Sequence, residues 1–533
     1  MAASDAGDGA RTNLRWAHKG GSLDDLLDAD PEAVALPGPA ADEVIARVEA
    51  VSICSSDIKV VRMGADHPLL ARAASGEVTV LGHEMSLRVE DVGTDQADRY
   101  HVGQRLALQP AMRIDGRRRI IGFDVPGGFA QYLRLGPEAL AGYVFDAPEA
   151  LTAAEIALLE PYGCVERAYR KNARTALKPE GSALVVLGPG SAGFGASRPL
   201  RWRRTVTVGS VDARLQDSFG TADAAFGNLA DLGAERFDDI VALGEIPADE
   251  LALLPSLLAD SGMLLQARRT STGPVLLDAA RIHYDALALV GTREDDVLRA
   301  LAPERQRFDA RAEGVALVHG AGGAMGRIHV HRLLQLDDGP RVVIATSRKG
   351  ARLADLAADF GPMASARGRR LIVTETAEVE EAVAAAAPGG LDDAVVVVPD
   401  SEAVAMAGRW LAPDGLLSVF AGFAYGRPIA FDLAGVAVSG KRITGSTGCT
   451  ADDMKDVLAR VLEGRLDLLA NLKAVGGLKA LPQALDAVNR GAVSGKIVIY
   501  PQAPDMPFRA LSDGWRPAEE QGLTGGVKAD PAR

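Results

Sequence analysis

Between about residues 40 and 135 the chain is written in short runs. EVIARVEAVSI, EVTVLG, MSLRVEDVG, RLALQP and GGFAQYLRL are apolar or alternate apolar with polar positions, and turn residues break them, which predicts a β-rich module. From about residue 150 the period changes: LTAAEIALLEPYGCVERAYRKNA has helical spacing, and SALVVLG then runs as an apolar strand straight into a glycine turn. Strands first, then alternating strand and helix, predict two architectures in series. Residues 1–12 and 503–533 are polar, rich in Pro and Gly and aperiodic, which predicts loose ends.

The second half repeats itself. LVVLGPGSAG around Gly188 matches ALVHGAGGAMG around Gly320, 132 positions on; SGMLLQA around Gly262 matches DGLLSVF around Gly415, 153 on; ALVGT at Gly291 matches ITGST at Gly445, 154 on. Two α/β units therefore stand in tandem, and the first is shorter by about 21 residues, lost between its glycine turn and its fourth strand. RRLIVTE, a strand of the second copy, has no counterpart in the first, and Pro199 interrupts the helix after the first glycine turn. The first copy is thus expected to lack its third strand.

A length of 533 residues suggests about three domains, and 47% apolar with 24% charged residues supports a large core. The net charge of −13 argues against a nucleic-acid groove or an anionic membrane surface as partner. Cys54, Cys164 and Cys449 lie too far apart in sequence for a disulfide framework or a four-cysteine zinc lobe. The opening MAASDAGDGARTN carries no basic segment followed by an apolar one, and no run of about 18 apolar residues follows. A cytoplasmic protein with no membrane partner is expected.

CSSD (Cys54–Asp57), GHE (Gly82–Glu84) and EP (Glu160–Pro161) put a thiol, an imidazole and carboxylates on well-separated segments, the mixed donor set of a catalytic zinc that keeps one position open. Cys164 stands so near Glu160 that a packed thiol, not a ligand to a second metal, is expected. Both glycine turns sit between strand and helix, where backbone can approach a pyrophosphate at a helix N-terminus. The first offers Gly188, Gly190 and Gly193, with Asp212 ending the next strand in a position that suits the ribose of NAD. The second offers Gly320, Gly322, Gly323 and Gly326, with Ser347, Arg348 and Lys349 where cations suit the 2′-phosphate of NADP.

CSSD, GHE, GGFAQYLRL, EPYGCVERAY, the glycine turn and SGKIVIYP together resemble the zinc-dependent medium-chain dehydrogenase/reductase superfamily, in its sorbitol dehydrogenase and L-sorbose-1-phosphate reductase branch. The likeness covers about residues 35–505. It implies an α/β chain with a GroES-like catalytic domain over 13–179, completed by 441–502, and two tandem Rossmann-type doubly wound domains, 180–300 and 313–440. It also implies one catalytic zinc on Cys54, His83 and Glu84, with Glu160 as fourth ligand directly or through water. Asp57 takes the part of the carboxylate that orients the histidine, and Ser56 that of the hydroxyl accepting the alcohol proton. Lys59 stands where many relatives carry a relay histidine. PAMRIDGRRRIIGFDVPGG, the lobe that in many relatives holds a structural zinc, has no cysteine, so that second zinc is absent, and Arg113, Arg117, Arg118 and Arg119 there could meet an anionic substrate.

The expected activity is interconversion of a secondary alcohol of a polyol, sugar or sugar phosphate with its ketone, using zinc and NADP or NAD, with the second copy holding the working cofactor. A redox-neutral epimerase or transhydrogenating enzyme using both copies, and a non-catalytic nucleotide-binding protein, are the alternatives. The partner is a small-molecule alcohol or sugar, and either a homodimer or an internal pseudo-dimer fits the tandem copies.

Overall fold

The computed structural model describes residues 11–18, 22–63, 79–210 and 213–525. The chain forms two units, Met1–Glu166 with Gly448–Arg533, and Arg167–Thr447. The return to the first unit falls at Gly448 and not near 441, because Arg442–Gly445 is a strand of the second unit. Among the described residues, no helix is long and apolar enough to cross a membrane.

The first unit is built on an eight-stranded sheet whose centre is Val44–Ser52, buried along its whole length. Glu84–Val92 pairs antiparallel on one side of it. On the other lies Lys496–Tyr500, so the returning segment completes the sheet, with Val498 opposite Ser52. The expected loose C-terminus is instead docked over 503–525. Arg509 and Ala510 pair with Val475 and Ala474, and Trp515 and Glu520 are buried. Glu520 accepts from the backbone N–H groups of Ala153 and Ala154 and from the Tyr500 hydroxyl. A carboxylate is stabilising at a helix N-terminus, where N–H groups lack partners, so the tail caps the helix Ala153–Ala168.

The second unit holds two six-stranded parallel sheets with one strand order. The first runs Ala224–Phe226, Arg204–Val208, Ser182–Leu187, Phe237–Leu243, Leu258–Ala267, Ala288–Thr292; the second runs Arg370–Glu375, Val342–Ser347, Val315–His319, Leu391–Val396, Leu411–Val419, Arg442–Gly445. Both follow the doubly wound order 3-2-1-4-5-6. The expectation of a missing third strand is corrected. Ala224–Phe226 fills that place with three residues, too few to leave a periodic signature. The break at Pro199 is more complete than expected, for only the single 3-10 turn Ser191–Gly193 follows the first glycine strand.

The two sheets share one apolar core, with Ile240 and Leu264 of the first and Leu317 and Leu417 of the second in the same cluster. Their contacts are reciprocal. Val275–Asp278 pairs antiparallel with Pro428–Phe431, Val275 opposite Phe431 and Asp278 opposite Pro428. A Cβ on Gly291 would stand 2.8 Å from the Ala437 Cα, and one on Gly445 would stand 2.8 Å from the His283 Cα. Gly291 and Gly445 are 154 positions apart, as are His283 and Ala437, so each copy offers the other the same face.

The helix Ala324–Gln335 carries His329 and His331, both buried. Burial, with Arg332 and Arg327 respectively adding repulsion, holds each imidazole down at about 3. The unfolded chain binds these protons near pH 6.5 and the folded chain does not, so stability is lost as pH falls from about 6.5 toward 3. The slope is up to about 1.4 kcal/mol per histidine per pH unit. Melting temperatures taken between pH 7 and 4.5 should fall steeply, and replacing either histidine with Phe should flatten the profile. An unchanged slope in both variants would exclude these groups as the cause.

Candidate metal centre

The buried strand Val44–Ser52 delivers Cys54 to the start of the helix Ser55–Met63. Asp57, fully buried in the first turn, accepts from the Cys54 backbone N–H at 2.9 Å through Oδ2 and so fixes the loop. Its Oδ1 faces His83 Nδ1 at 3.6 Å, and neither buried atom has a hydrogen-bond partner among the described residues. A proton on Nδ1, facing Asp57, would leave Nε2 as the donor atom toward a metal. Burial opposes a charged His83, but the neighbouring Asp57 and Cys54 outweigh it and raise its pKa well above the ordinary value.

Glu84 follows His83 as the first residue of its strand and points into the same interior. Lys496 meets it from the returning strand: Nζ lies 2.8 Å from Oε1 and 2.5 Å from Oε2, and also donates to the Ile53 carbonyl at 2.9 Å. Burial works against ionising Glu84, and Lys496, then His83, more than offset it and lower its pKa. Ligand atoms of Cys54, His83 and Glu84 all lie within 4.8 Å of one another. A soft thiolate, an imidazole and a carboxylate at that spacing fit zinc, and the orphaned Nδ1 and Oδ1 atoms are those that ligation of Nε2 would draw together. On the same helix Ser56 is half-buried and Lys59 exposed.

Glu160 is buried but grouped elsewhere. It lies with Cys164 and Cys449, the three ligand atoms again within 4.8 Å of one another. Cys164 Sγ donates to Glu160 Oε1 at 3.2 Å, and Cys449 Sγ is 4.0 Å from the same oxygen. Burial raises the Glu160 pKa, countered in part by His83. Four residues apart on the helix Ala153–Ala168, Cys164 and Glu160 share one face, and the thiol packs against the carboxyl. The arginine lobe is a hairpin, Ala111–Ile114 and Arg117–Ile120, that exposes Arg113, Arg117, Arg118 and Arg119.

In the second unit, Gly320, Gly322, Gly323 and Gly326 form the turn from Val315–His319 into Ala324–Gln335, with Gly323 as N-cap and no side chain capping the helix. A Cβ on Gly326 would meet the Gly320 carbonyl at 2.4 Å, whereas one on Gly323 would have nothing nearer than 3.9 Å. Ser347 ends its strand buried, and Arg348 and Lys349 follow exposed. Arg352 stands half-buried beside them, its pKa lowered by burial and by Arg348. Around the first turn, Gly188 and Gly190 open onto the 3-10 turn that contains Gly193, and a Cβ on Gly193 would meet the Arg269 guanidinium at 3.0 Å. Asp212 lies outside the described residues.

Three residues escaped the sequence reading: Lys496, Cys449 and Arg352. The first carried a signal, a lone cation heading the apolar strand KIVIY. Cys449 depends on segments brought together only by folding, whereas Arg352 lies one helical turn past Arg348 on the helix Gly350–Ala366.

Residues 40–144 match the alcohol dehydrogenase GroES-like domain. The L-sorbose 1-phosphate reductase of Klebsiella pneumoniae is 28% identical over 174 residues, 31% of this chain and 42% of that protein. The sorbitol dehydrogenase of Bacillus subtilis is 30% identical over 177 residues, 31% and 46% of the two chains. The chain therefore spans less than half the length of these relatives. Among solved structures, the 2R,3R-butanediol dehydrogenase of Bacillus subtilis aligns over 92% of this chain and 99% of its own, at 15% identity and a TM-score of 0.51, a likeness of fold. Over residues 40–144 the chain thus carries an alcohol dehydrogenase GroES-like domain, and there it is similar to members of the medium-chain dehydrogenase/reductase, alcohol dehydrogenase-like superfamily.

Proposed function

We propose that the chain is a zinc-dependent, NAD(P)-linked oxidoreductase that interconverts a secondary alcohol of a polyol, sugar or sugar phosphate with its ketone. The Cys54–His83–Glu84 group, with Asp57 behind the histidine, carries this reading. The names of the two sugar-alcohol and sugar-phosphate relatives support the substrate class. Zinc held by Cys54, His83 and Glu84 would supply Lewis acidity at the substrate oxygen, and a nicotinamide at the glycine turn of the second copy would supply hydride exchange at its carbon.

The protein's own groups do the rest. Asp57 fixes the His83 tautomer, and Lys496 holds Glu84 ionised. Ser56 takes the alcohol proton, and Lys59, three residues on along the exposed side of the helix, passes it to water. The uncapped N-terminus at Gly323 and the open space above it receive the pyrophosphate, and Gly326 allows the close packing beneath. Ser347, Arg348, Lys349 and Arg352 favour the 2′-phosphate of NADP. The first copy is structural. No helix follows its glycine turn, and Arg269, stacked over Phe194 at 4.4 Å, fills the space beside Gly193.

Gly323→Val has room for its side chain, so the protein should fold while nucleotide affinity falls by roughly 10- to 100-fold and turnover with it. Gly190→Asn, which tolerates the left-handed φ of 78° there, should leave both unchanged. Nucleotide titration and steady-state rates decide. The reverse pattern would move the cofactor to the first copy.

A further inference from the structure

The hairpin of Ala111–Ile114 and Arg117–Ile120 is tied to the metal centre at both of its ends. Gln109, two residues before the first strand, donates through Nε2 to the Cys449 carbonyl at 2.8 Å. Cys449 Sγ lies 4.0 Å from Glu160 Oε1, and the Glu160 carboxyl is near enough to His83 and Glu84 to feel both charges. Three residues past the second strand, the Phe123 ring packs on the His83 imidazole with 5.2 Å between centroids. Gly122 permits that approach, since a Cβ there would stand 3.0 Å from His83 Cβ.

The register sets Arg113 directly opposite Arg118. Side chains opposed in this way share one face of an antiparallel pair, and like charges there repel. The other face carries Met112, buried, and Ile114, packed on the apolar core, so the two arginines are turned away from that core. Both are exposed, and among the described residues neither guanidinium has a hydrogen-bond or ion-pair partner. In the same unit Arg88 and Arg105, by contrast, share the Glu49 carboxylate. Arg118 leans over the returning segment: a Cβ on Gly448, the residue before Cys449, would stand 3.3 Å from its Nη2.

Two repelling cations on one face are relieved by an anion that meets both. A phosphate monoester does so, with close to two negative charges at neutral pH and three acceptor oxygens for two planar donor forks. A carboxylate brings one charge and two oxygens, enough for a single fork.

We propose that Arg113 and Arg118 form the phosphate subsite of the substrate, so that the chain acts on a sugar or polyol phosphate in preference to the free sugar alcohol. The inference rests on the oxidoreductase reading above for the chemistry at the alcohol carbon, and on the hairpin for the phosphate. The arginines bind and orient, and no bond of the phosphate ester is made or broken.

Sorbitol and sorbitol 6-phosphate differ only in the group these arginines hold. Titrated calorimetrically into the full-length, zinc-loaded chain without nucleotide, sorbitol 6-phosphate should bind roughly 100-fold more tightly than sorbitol. Arg113→Gln/Arg118→Gln should bring the two to within about threefold, whereas Arg117→Gln/Arg119→Gln, which removes the same charge from the opposite face, should keep most of the difference. Both variants alter exposed side chains only, so both should fold. Inorganic phosphate should displace sorbitol 6-phosphate from the intact chain. In turnover with NADP, Arg113→Gln/Arg118→Gln should raise KM for the phosphate ester and leave kcat within about twofold. Equal affinity for the two compounds in the intact chain, or equal losses in the two double variants, overturns the subsite. So does inorganic phosphate bound alongside sorbitol 6-phosphate, which would put the anion site outside the substrate. Failure of the oxidoreductase reading looks different: neither compound is turned over, while the contrast in binding persists.

Discussion

Cys54→Ser is expected to lower kcat by roughly 10³-fold and to remove one metal ion from the chain. The thiolate is the strongest donor of its group, and Lewis-acid stabilisation of transition-state charge is worth several kcal/mol, about 1.4 kcal/mol per tenfold in rate. The substitution is close in size, Cys54 is only half-buried, and the Asp57 hydrogen bond goes to its backbone, so the loop should persist. Rates with a sugar alcohol and metal analysis of the same sample check both halves. A variant that keeps full turnover and full metal would remove the catalytic assignment.

Lys496→Met should have the largest effect on stability. Its ammonium and the Glu84 carboxylate are 2% and 1% exposed as side chains, so removing the cation strands a charge that solvent cannot reach. Breaking a buried pair in this way costs about 3–5 kcal/mol. A metal on Glu84 replaces part of the lost attraction, so the deficit should be greater in metal-stripped than in zinc-loaded protein. Lys496→Met with Glu84→Gln should recover much of the loss, because the stranded charge is then gone. Urea midpoints of the single and double variants measure this. A loss below about 1 kcal/mol for the single variant would mean that water reaches the pair after all.

The parts of the molecule legible in the sequence are those coded locally. SALVVL and VALVH, apolar at nearly every position, could only be strands buried on both faces, and the glycines after them marked the turns. GHE stood out because three chemically distinct residues adjoin one strand. What stayed hidden was either too short or too distant. Ala224–Phe226 holds its place through partners in Arg204–Val208, not through any period of its own. The C-terminal segment reads as a tail because Pro and Gly dominate it, yet Glu520 finds its partners at Ala153 and Ala154. Lys496 and Glu84 are 412 positions apart, and no local pattern joins them.

The reciprocal packing of Gly291 on Ala437 and of Gly445 on His283 carries a consequence for how this chain can vary. Where two identical chains meet about a two-fold axis, every substitution strikes the interface twice, and assembly weakens on dilution. Here the two faces are joined covalently. Their encounter is unimolecular, with an effective concentration set by the connecting polypeptide, and it does not weaken on dilution. Each face is also spelled by its own codons, so Gly291→Ala disturbs one contact and leaves its counterpart whole. A copy tied in this way can shed the helix after its glycine turn and still keep its partner sheet packed.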